Sequence, residues 1–316
     1  MMDAQIWTEK YRPSSFEEIK GQKEIVRRIK ALVEKKNIPH MLFSGSPGTG
    51  KTTTALIVAK QLHKHNWRSN FLELNSSDSR GIETIRIQVK DFAKTMAIEA
   101  DAPKIILLDE ADALTKEAQQ ALRRTMETYA NSCRFILSCN IPSKIIDPIK
   151  SRCAIFKFKP LAKEEIVAIV ENIASKEGLK LSKETAEKLY HQCEGDVRQL
   201  QNLLQSCSAM SKEIDEATIN EFITSIESKE VEEIITLALN KKFMDSRKKL
   251  LDLMLNNGLS GLDVIKAIQK EIMTLQVDDE KRLSIIERCG DIEFRLVEGS
   301  DDYIQLESLL AFIAKK

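Results

Sequence analysis

Two glycines, a lysine and a threonine stand at a spacing with one well-defined chemical use. The run Gly45-Ser46-Pro47-Gly48-Thr49-Gly50-Lys51-Thr52 follows the short apolar run Met41-Leu42-Phe43 and precedes a helical stretch. Glycines let successive backbone N–H groups turn toward one point, and the N-terminus of the next helix adds partial positive charge. Such a loop cradles phosphates, with Lys51 reaching the β- and γ-phosphates and Thr52 ligating Mg²⁺. The acidic half of the chemistry is Ile105-Ile106-Leu107-Leu108-Asp109-Glu110. A strand of this kind brings Asp109 beside the loop to hold the metal and places Glu110 to orient or deprotonate water. The expectation is an ATPase that uses ATP and Mg²⁺ and turns over, since a base stands next to the metal ligand.

Groups so far apart in sequence need a scaffold that carries them to one edge. Residues 1–160 alternate helical and strand-like segments. Helices are expected over 22–35, 53–63, 81–97 and 116–129, and strands over 41–43, 70–74, 104–108 and 134–139. Alternation of this kind predicts βαβ units and a mainly parallel sheet covered on both faces, an α/β P-loop fold. Beyond Pro160 the pattern is helical almost throughout. Helices are expected over 164–176, 183–193 and 197–210, and a second set over 231–239, 246–255, 262–275, 281–288 and 303–312. The domain expectation is 1–160, 161–226 and 227–316.

Length and composition exclude several classes. A chain of 316 residues, 42% hydrophobic and 30% charged, is ordinary for a globular protein of two or three domains. No stretch approaches the ~18 consecutive apolar residues of a membrane span, and the N-terminus lacks the blocks of a signal peptide. Six cysteines are dispersed without a CxxC pair, so reduced, packed thiols are expected rather than a zinc site. The net charge of zero conceals a split. Residues 1–160 hold 27 Lys and Arg against 18 Asp and Glu, and residues 161–316 hold 21 against 30. The basic half can attract phosphate backbones.

A longer series of motifs carries a family resemblance. In order come Trp7-Thr8-Glu9-Lys10-Tyr11-Arg12-Pro13, the P-loop, Leu74-Asn75-Ser76-Ser77-Asp78, Asp109-Glu110-Ala111-Asp112 and Leu122-Arg123-Arg124-Thr125-Met126-Glu127. Ser138-Cys139-Asn140, Ser151-Arg152-Cys153 and Gly195-Asp196-Val197-Arg198 follow. The chain resembles the small subunits of replication factor C, the sliding-clamp loader of archaea and eukaryotes, within the AAA+ ATPases. The match is close over residues 6 to about 210. Beyond that it rests on length and helical character.

The resemblance implies an AAA+ domain, an all-α lid and an all-α collar for oligomerisation. It implies that Asn140 is a polar sensor near the γ-phosphate, that Arg198 touches the nucleotide of its own subunit, and that Arg152 is an arginine finger acting in trans. Tyr11-Arg12-Pro13 and Ile19-Lys20-Gly21 would flank the adenine, with simple packing as the alternative for Tyr11 and Pro13. Arg80, Thr115 and Lys116, at helix N-termini, would contact DNA phosphates without reading sequence, although Thr115 would cap its helix regardless. The helix around Phe92 and Met96 is a candidate clamp-facing surface, with the core as the equal alternative for both residues. His40 reads as a core or capping histidine. Implied partners are a large subunit, further copies of this chain or its homologues, the sliding clamp and primer–template DNA, with no membrane. The place of work would be the cytoplasm in an archaeon and the nucleus in a eukaryote. Departures are modest: Ser46 stands for a usual proline, Ser79 for a glutamate, and Ile141-Pro142 for a tyrosine-serine pair. Two other readings share the P-loop. One is a DNA translocase such as a branch-migration motor, which should carry a DNA-reading winged-helix domain at its C-terminus. The other is a loader scaffold without turnover, against which Lys51, Thr52, Asp109 and Glu110 argue.

Overall fold

The computed structural model describes residues 6–77, 82–95, 102–216, 218–219 and 228–315. The chain forms two compact units, Met1–Ile219 and Asn220–Lys316. The expected division at 160 lies inside the first unit, and the one at 226 falls outside the described residues.

In the first unit a short helix α1 (Trp7–Lys10) precedes five parallel strands and the helices between them. The strands are β1 (His40–Ser44), β2 (Phe71–Asn75), β3 (Lys104–Asp109), β4 (Cys133–Cys139) and β5 (Cys153–Lys157), in the order β2-β3-β4-β1-β5. Successive side chains of a strand point to opposite faces. Met41, Phe43, Ile105, Leu107 and Ile136 accordingly enter one apolar cluster, and Leu42, Ile106, Leu108, Phe135 and Leu137 the other. Helices α2 (Lys23–Glu34) and α3 (Lys51–His63) cover the first face through Ile29, Val33, Ile57 and Val58. Helices α4 (Ile82–Lys94) and α5 (Lys116–Thr128) cover the second through Val89, Ala93, Leu122 and Met126. This is the doubly covered parallel sheet that the alternation predicts.

A short helix α6 (Asp147–Lys150) leads into β5, a strand absent from the sequence expectation. It pairs with β1 alone, from His40↔Cys153 to Ser44↔Lys157. Its sequence, Cys153-Ala154-Ile155-Phe156-Lys157, holds an apolar run too short to declare a strand by periodicity alone, and at the sheet edge Ile155 stays exposed. After it come α7 (Lys163–Glu177), α8 (Lys183–Cys193) and α9 (Val197–Met210). Gly178 caps α7 in the left-handed conformation, and Asp196 caps α9 by accepting from the N–H groups of Arg198 and Gln199.

The second unit is helical among its described residues: α10 (Ser228–Leu239), α11 (Phe243–Asn257), α12 (Gly261–Ile272), α13 (Asp279–Val297) and α14 (Asp302–Lys315). Ile235, Leu250, Ile268, Ile292 and Leu309 are among the residues of its own core. Helix α13 runs nine residues past the expected end at Arg288. Ile285, Cys289, Ile292 and Leu296 continue its buried stripe across Gly290, at the three- and four-residue spacing of a helix face. No described helix is long and apolar enough to cross a membrane.

Candidate active site

The strand order sets the C-terminal ends of β3, β4 and β1 side by side. Each end delivers one piece of the site. β1 opens into the loop Gly45–Gly50, where Gly45, Gly48 and Gly50 have φ of 151°, 65° and 94°. Side-chain-bearing residues rarely adopt such angles. Gly48 is also hemmed in, because a Cβ there would lie 1.7 Å from Asp196 Oδ1. Lys51 begins α3 and is buried. Its ammonium donates to Gly45 O at 2.7 Å, Ser46 O at 2.8 Å and Asn140 Oδ1 at 2.9 Å. Burial pulls its pKa below the usual lysine range, while the negative charge of Asp109 works in the opposite direction.

β3 ends at Asp109, whose Oδ2 accepts from the Thr52 hydroxyl at 2.6 Å. Two hard oxygen donors on one edge of a phosphate loop suit Mg²⁺, which takes a few protein oxygens and completes its shell with phosphate and water. Among the described residues no group of three or more His, Cys, Asp or Glu side chains could hold a metal by itself. The donor set therefore fits a nucleotide-bound Mg²⁺ rather than an all-protein cage. Glu110 follows with φ 52° and ψ 40°, a left-handed conformation uncommon for such a side chain. Its side chain is exposed, and its N–H donates to Asp109 Oδ1 at 3.0 Å. Strain of this kind costs about 1–3 kcal/mol and collects at functional sites.

β4 delivers Asn140 beyond Cys139, whose Cα faces Ser44 across the sheet. The position of Asn140 is fixed by Asp112, which accepts from the N–H of Asn140 at 3.2 Å and of Ile141 at 2.9 Å. Sequence reasoning gave Asp112 no task. The signal was its place three residues beyond Asp109, but its partner lies 28 residues away.

Asp109, Glu110 and Asn140 line a cavity of about 1080 Å³ with Pro47–Thr53. Helices α7 and α9 border it as well: α7 contributes Asn172 and Lys176, and α9 contributes Val197 and Arg198. Val197 N donates to Gly48 O at 3.3 Å, which sets the start of α9 against the phosphate loop. Arg198 is exposed, and its charge adds to the depression of the Lys51 pKa. Tyr11, Arg12, Pro13, Ile19 and Lys20 line the same cavity.

Other expected residues lie elsewhere. Arg152 is not among the residues lining this cavity. Its guanidinium meets Glu127 Oε1 at 2.6 Å and Pro148 O at 2.8 Å. Thr115 caps α5, its hydroxyl accepting from Ala118 N at 3.2 Å, and Lys116 beside it is exposed. Arg80 and Met96 lie outside the described residues. Phe92 packs on the core with the Lys104 ammonium 4.4 Å from its ring centre, and Ile87 of the same helix is exposed. His40 Nδ1 accepts from Phe135 N at 3.0 Å, with its part-buried ring against that of Phe135. Gln119 was missed. It is 1% exposed and joins the turn before α5 to the segment before α6. Its amide donates to Leu114 O at 3.1 Å and Lys144 O at 3.0 Å and accepts from Ile146 N at 2.9 Å.

Comparison with known proteins agrees with this geometry. Residues 41–161 match the ATPase family associated with various cellular activities (AAA), and residues 226–312 match the replication factor C C-terminal domain. The replication factor C small subunit of Methanococcus vannielii is 50% identical over 306 residues, covering 96% of this chain and 97% of that one. Those of Archaeoglobus fulgidus and Sulfolobus acidocaldarius are 46% and 47% identical, covering 99% and 98% of this chain and 98% and 95% of theirs. Among solved structures, a point variant of Thermotoga maritima RuvB gives a TM-score of 0.58 at 17% identity, covering 82% of this chain and 88% of that one. The T. maritima RuvB Holliday junction branch migration motor gives 0.54 at 18%, covering 67% and 71%. At those identities the likeness is one of fold alone. Identity of about one half along nearly the whole length of both chains reaches further, and the C-terminal match separates this chain from the motors: it belongs to the replication factor C small subunits, a family of AAA ATPases.

Proposed function

We propose that this chain is an ATP-hydrolysing subunit of a sliding-clamp loader, built from an ATPase domain over 1–160, a lid over 161–226 and a collar over 227–316. The observation that carries the reading is the hydrogen-bonded convergence of Lys51 with Asn140 and of Thr52 with Asp109 at three neighbouring strand ends. Gly45, Ser46, Pro47, Gly48, Thr49 and Gly50 direct backbone N–H groups at the ATP phosphates, and Lys51 neutralises their β- and γ-oxygens. Thr52 and Asp109 hold Mg²⁺, which screens phosphate charge when bound. Glu110 accepts the proton of the attacking water, and the Asn140 amide orients that water against the γ-phosphate. Arg198 contacts the phosphates from the lid, and Tyr11 and Arg12 flank the adenine. Arg152 acts on the ATP of a neighbouring subunit, where its guanidinium offsets charge that develops during transfer.

The partners are a large subunit, further small subunits, the clamp and primer–template DNA. Arg80, Thr115 and Lys116 meet DNA phosphates, which suits action at any sequence. ATP and ADP states differ in assembly geometry, so ATP binding opens the clamp and hydrolysis releases it on DNA. The similarity to archaeal proteins makes the cytoplasm the expected place of work. The test is a clamp-loading assay on primed circular DNA with and without clamp and large subunit. ATP turnover should rise with clamp and primed DNA together; a flat response would overturn the reading.

A further inference from the structure

Glu177, the last residue of α7, receives groups from the far end of the chain. Its carboxylate is 17% exposed and pairs with the Lys10 ammonium at 2.5 Å. The same oxygen accepts a hydrogen bond from the Tyr11 hydroxyl, and the Glu177 carbonyl accepts from Lys212 Nζ at 3.0 Å. Two cations stand over the Tyr11 ring, the ammoniums of Lys10 and Lys176, each 5.5 Å from its centre. Trp7 packs edge-on against that ring at 5.9 Å, and its backbone N–H donates to Gln205 Oε1 of α9 at 2.9 Å. Helix α1 and the turn after it are thus tied to α9 through Trp7 and to α7 through Tyr11.

Both lid helices also border the nucleotide cavity, α9 with its start against Gly48 and α7 with Asn172 and Lys176. Tyr11, Arg12 and Pro13 line the same cavity as a wall beside them. That wall is a loop, and its hydrogen-bonded anchor on α7 is the carboxylate of Glu177. Burial and Glu177 raise the Tyr11 pKa, so the phenol remains a donor at any working pH.

We propose that Glu177 is a positioning residue of the nucleotide site. By holding Tyr11 and Lys10 it fixes the N-terminal segment as a strap across the two lid helices, and this sets the wall against which the base rests. The proposal rests on the reading above that Tyr11 and Arg12 flank the adenine. Glu177 itself is not among the residues lining the cavity.

The experiment titrates the full-length chain with ATP and with ADP. Glu177→Ala and Tyr11→Phe should each raise Kd for both nucleotides by about tenfold, the equivalent of one hydrogen bond to a charged group. The double variant should lose no more than Glu177→Ala alone, because Tyr11→Phe breaks a contact that Glu177→Ala already removes. Glu177→Gln keeps an acceptor for the Tyr11 hydroxyl and loses only the charge partner of Lys10, so its Kd should rise by about threefold or less. It also separates positioning from misfolding. In a Trp67→Phe background Trp7 is the sole indole, and its emission should respond to ADP with Glu177 present and not with alanine there. In hydrolysis the loss should fall on KM rather than kcat. Unchanged Kd in Glu177→Ala, or losses that multiply in the double variant, would overturn the proposal. Lys51→Ala serves as the control. If it binds nucleotide normally, the phosphate-site reading fails. If it abolishes binding while Glu177→Ala binds like the parent, only the role of Glu177 fails.

Discussion

Lys51 Nζ lies 2.9 Å from Asn140 Oδ1, so the lysine that opens α3 also holds the amide at the end of β4. Lys51 is buried and bonded to two loop carbonyls as well, whereas Asn140 is exposed and held from behind through its N–H by Asp112. The two should therefore fail differently. Lys51→Ala removes a charge that any phosphate needs and should abolish nucleotide binding. Asn140→Ala should leave ATP affinity within about threefold and slow single-turnover hydrolysis by about a hundredfold, the scale of one lost positioned polar group. Equal losses in affinity and rate would make Asn140 a binding group instead.

Asp112→Asn tests the support behind that amide. Asp112 accepts two backbone N–H bonds, from Asn140 and Ile141, and asparagine can still accept with its one carbonyl oxygen. Alanine cannot. Hydrolysis should therefore fall by about tenfold in Asp112→Ala and by less in Asp112→Asn, with ATP affinity retained in both. Identical behaviour of the two variants would show that charge, rather than backbone support, is what Asp112 supplies.

Metal dependence isolates the second pair. Asp109→Asn keeps an oxygen for the Thr52 hydroxyl, 2.6 Å away in the parent, and removes the negative charge. The Mg²⁺ concentration for half-maximal ATP turnover should rise by about tenfold or more, since Mg²⁺ depends on carboxylate oxygen. ADP affinity measured without Mg²⁺ should be unchanged. A shift in that metal-free affinity would mean that Asp109 serves the phosphates directly.

The sequence made the phosphate loop and Asp109-Glu110 legible because both are continuous runs whose chemistry follows from residue order. The covered sheet was legible for a similar reason: Met41, Leu42 and Phe43 are apolar in succession, as a strand buried on both faces requires. What stayed hidden depends on contacts across the fold. Asp112 looked idle until β4 brought Asn140 to it. Glu177 sits 166 residues from Tyr11 and closes an ordinary amphipathic helix. β5 passed unnoticed because its apolar run, residues 153–156, is short, and α13 runs past the expected end at Arg288 because its buried stripe continues across Gly290.

Arg152 offers a test of action between subunits. In the isolated chain its guanidinium is engaged by Glu127 and Pro148 O, both exposed enough for water to weaken the ion pair to about 1 kcal/mol or less. Such a contact yields easily to a phosphate. Arg152→Ala should leave ATP binding intact and reduce turnover in the assembled complex by about a thousandfold. Glu127→Ala should change it by about fivefold at most, since it removes only that weak pair. Complexes mixing Arg152→Ala with Lys51→Ala subunits should keep activity only where an intact finger meets an intact loop. Turnover that simply tracks the fraction of Lys51 subunits would remove the trans role.

His40 predicts a pH dependence unrelated to catalysis. Its Nδ1 accepts from Phe135 N, and burial, reinforced by the charge of Arg134, pushes its pKa down from 6.5 to about 4. Between those values the unfolded chain binds a proton that the folded chain refuses. Stability from this group is therefore complete above pH 6.5, falls as pH drops toward about 4, and changes no further below that. By about pH 5 the loss should approach about 2 kcal/mol. His40→Asn keeps an acceptor for the Phe135 N–H without a titrating ring. Urea midpoints for unfolding of the first unit, compared at about pH 7.5 and about pH 5, should fall less in His40→Asn than in the parent. Carboxylate titrations common to both proteins cancel in that difference. Parallel falls would show that His40 accepts its proton in the folded chain.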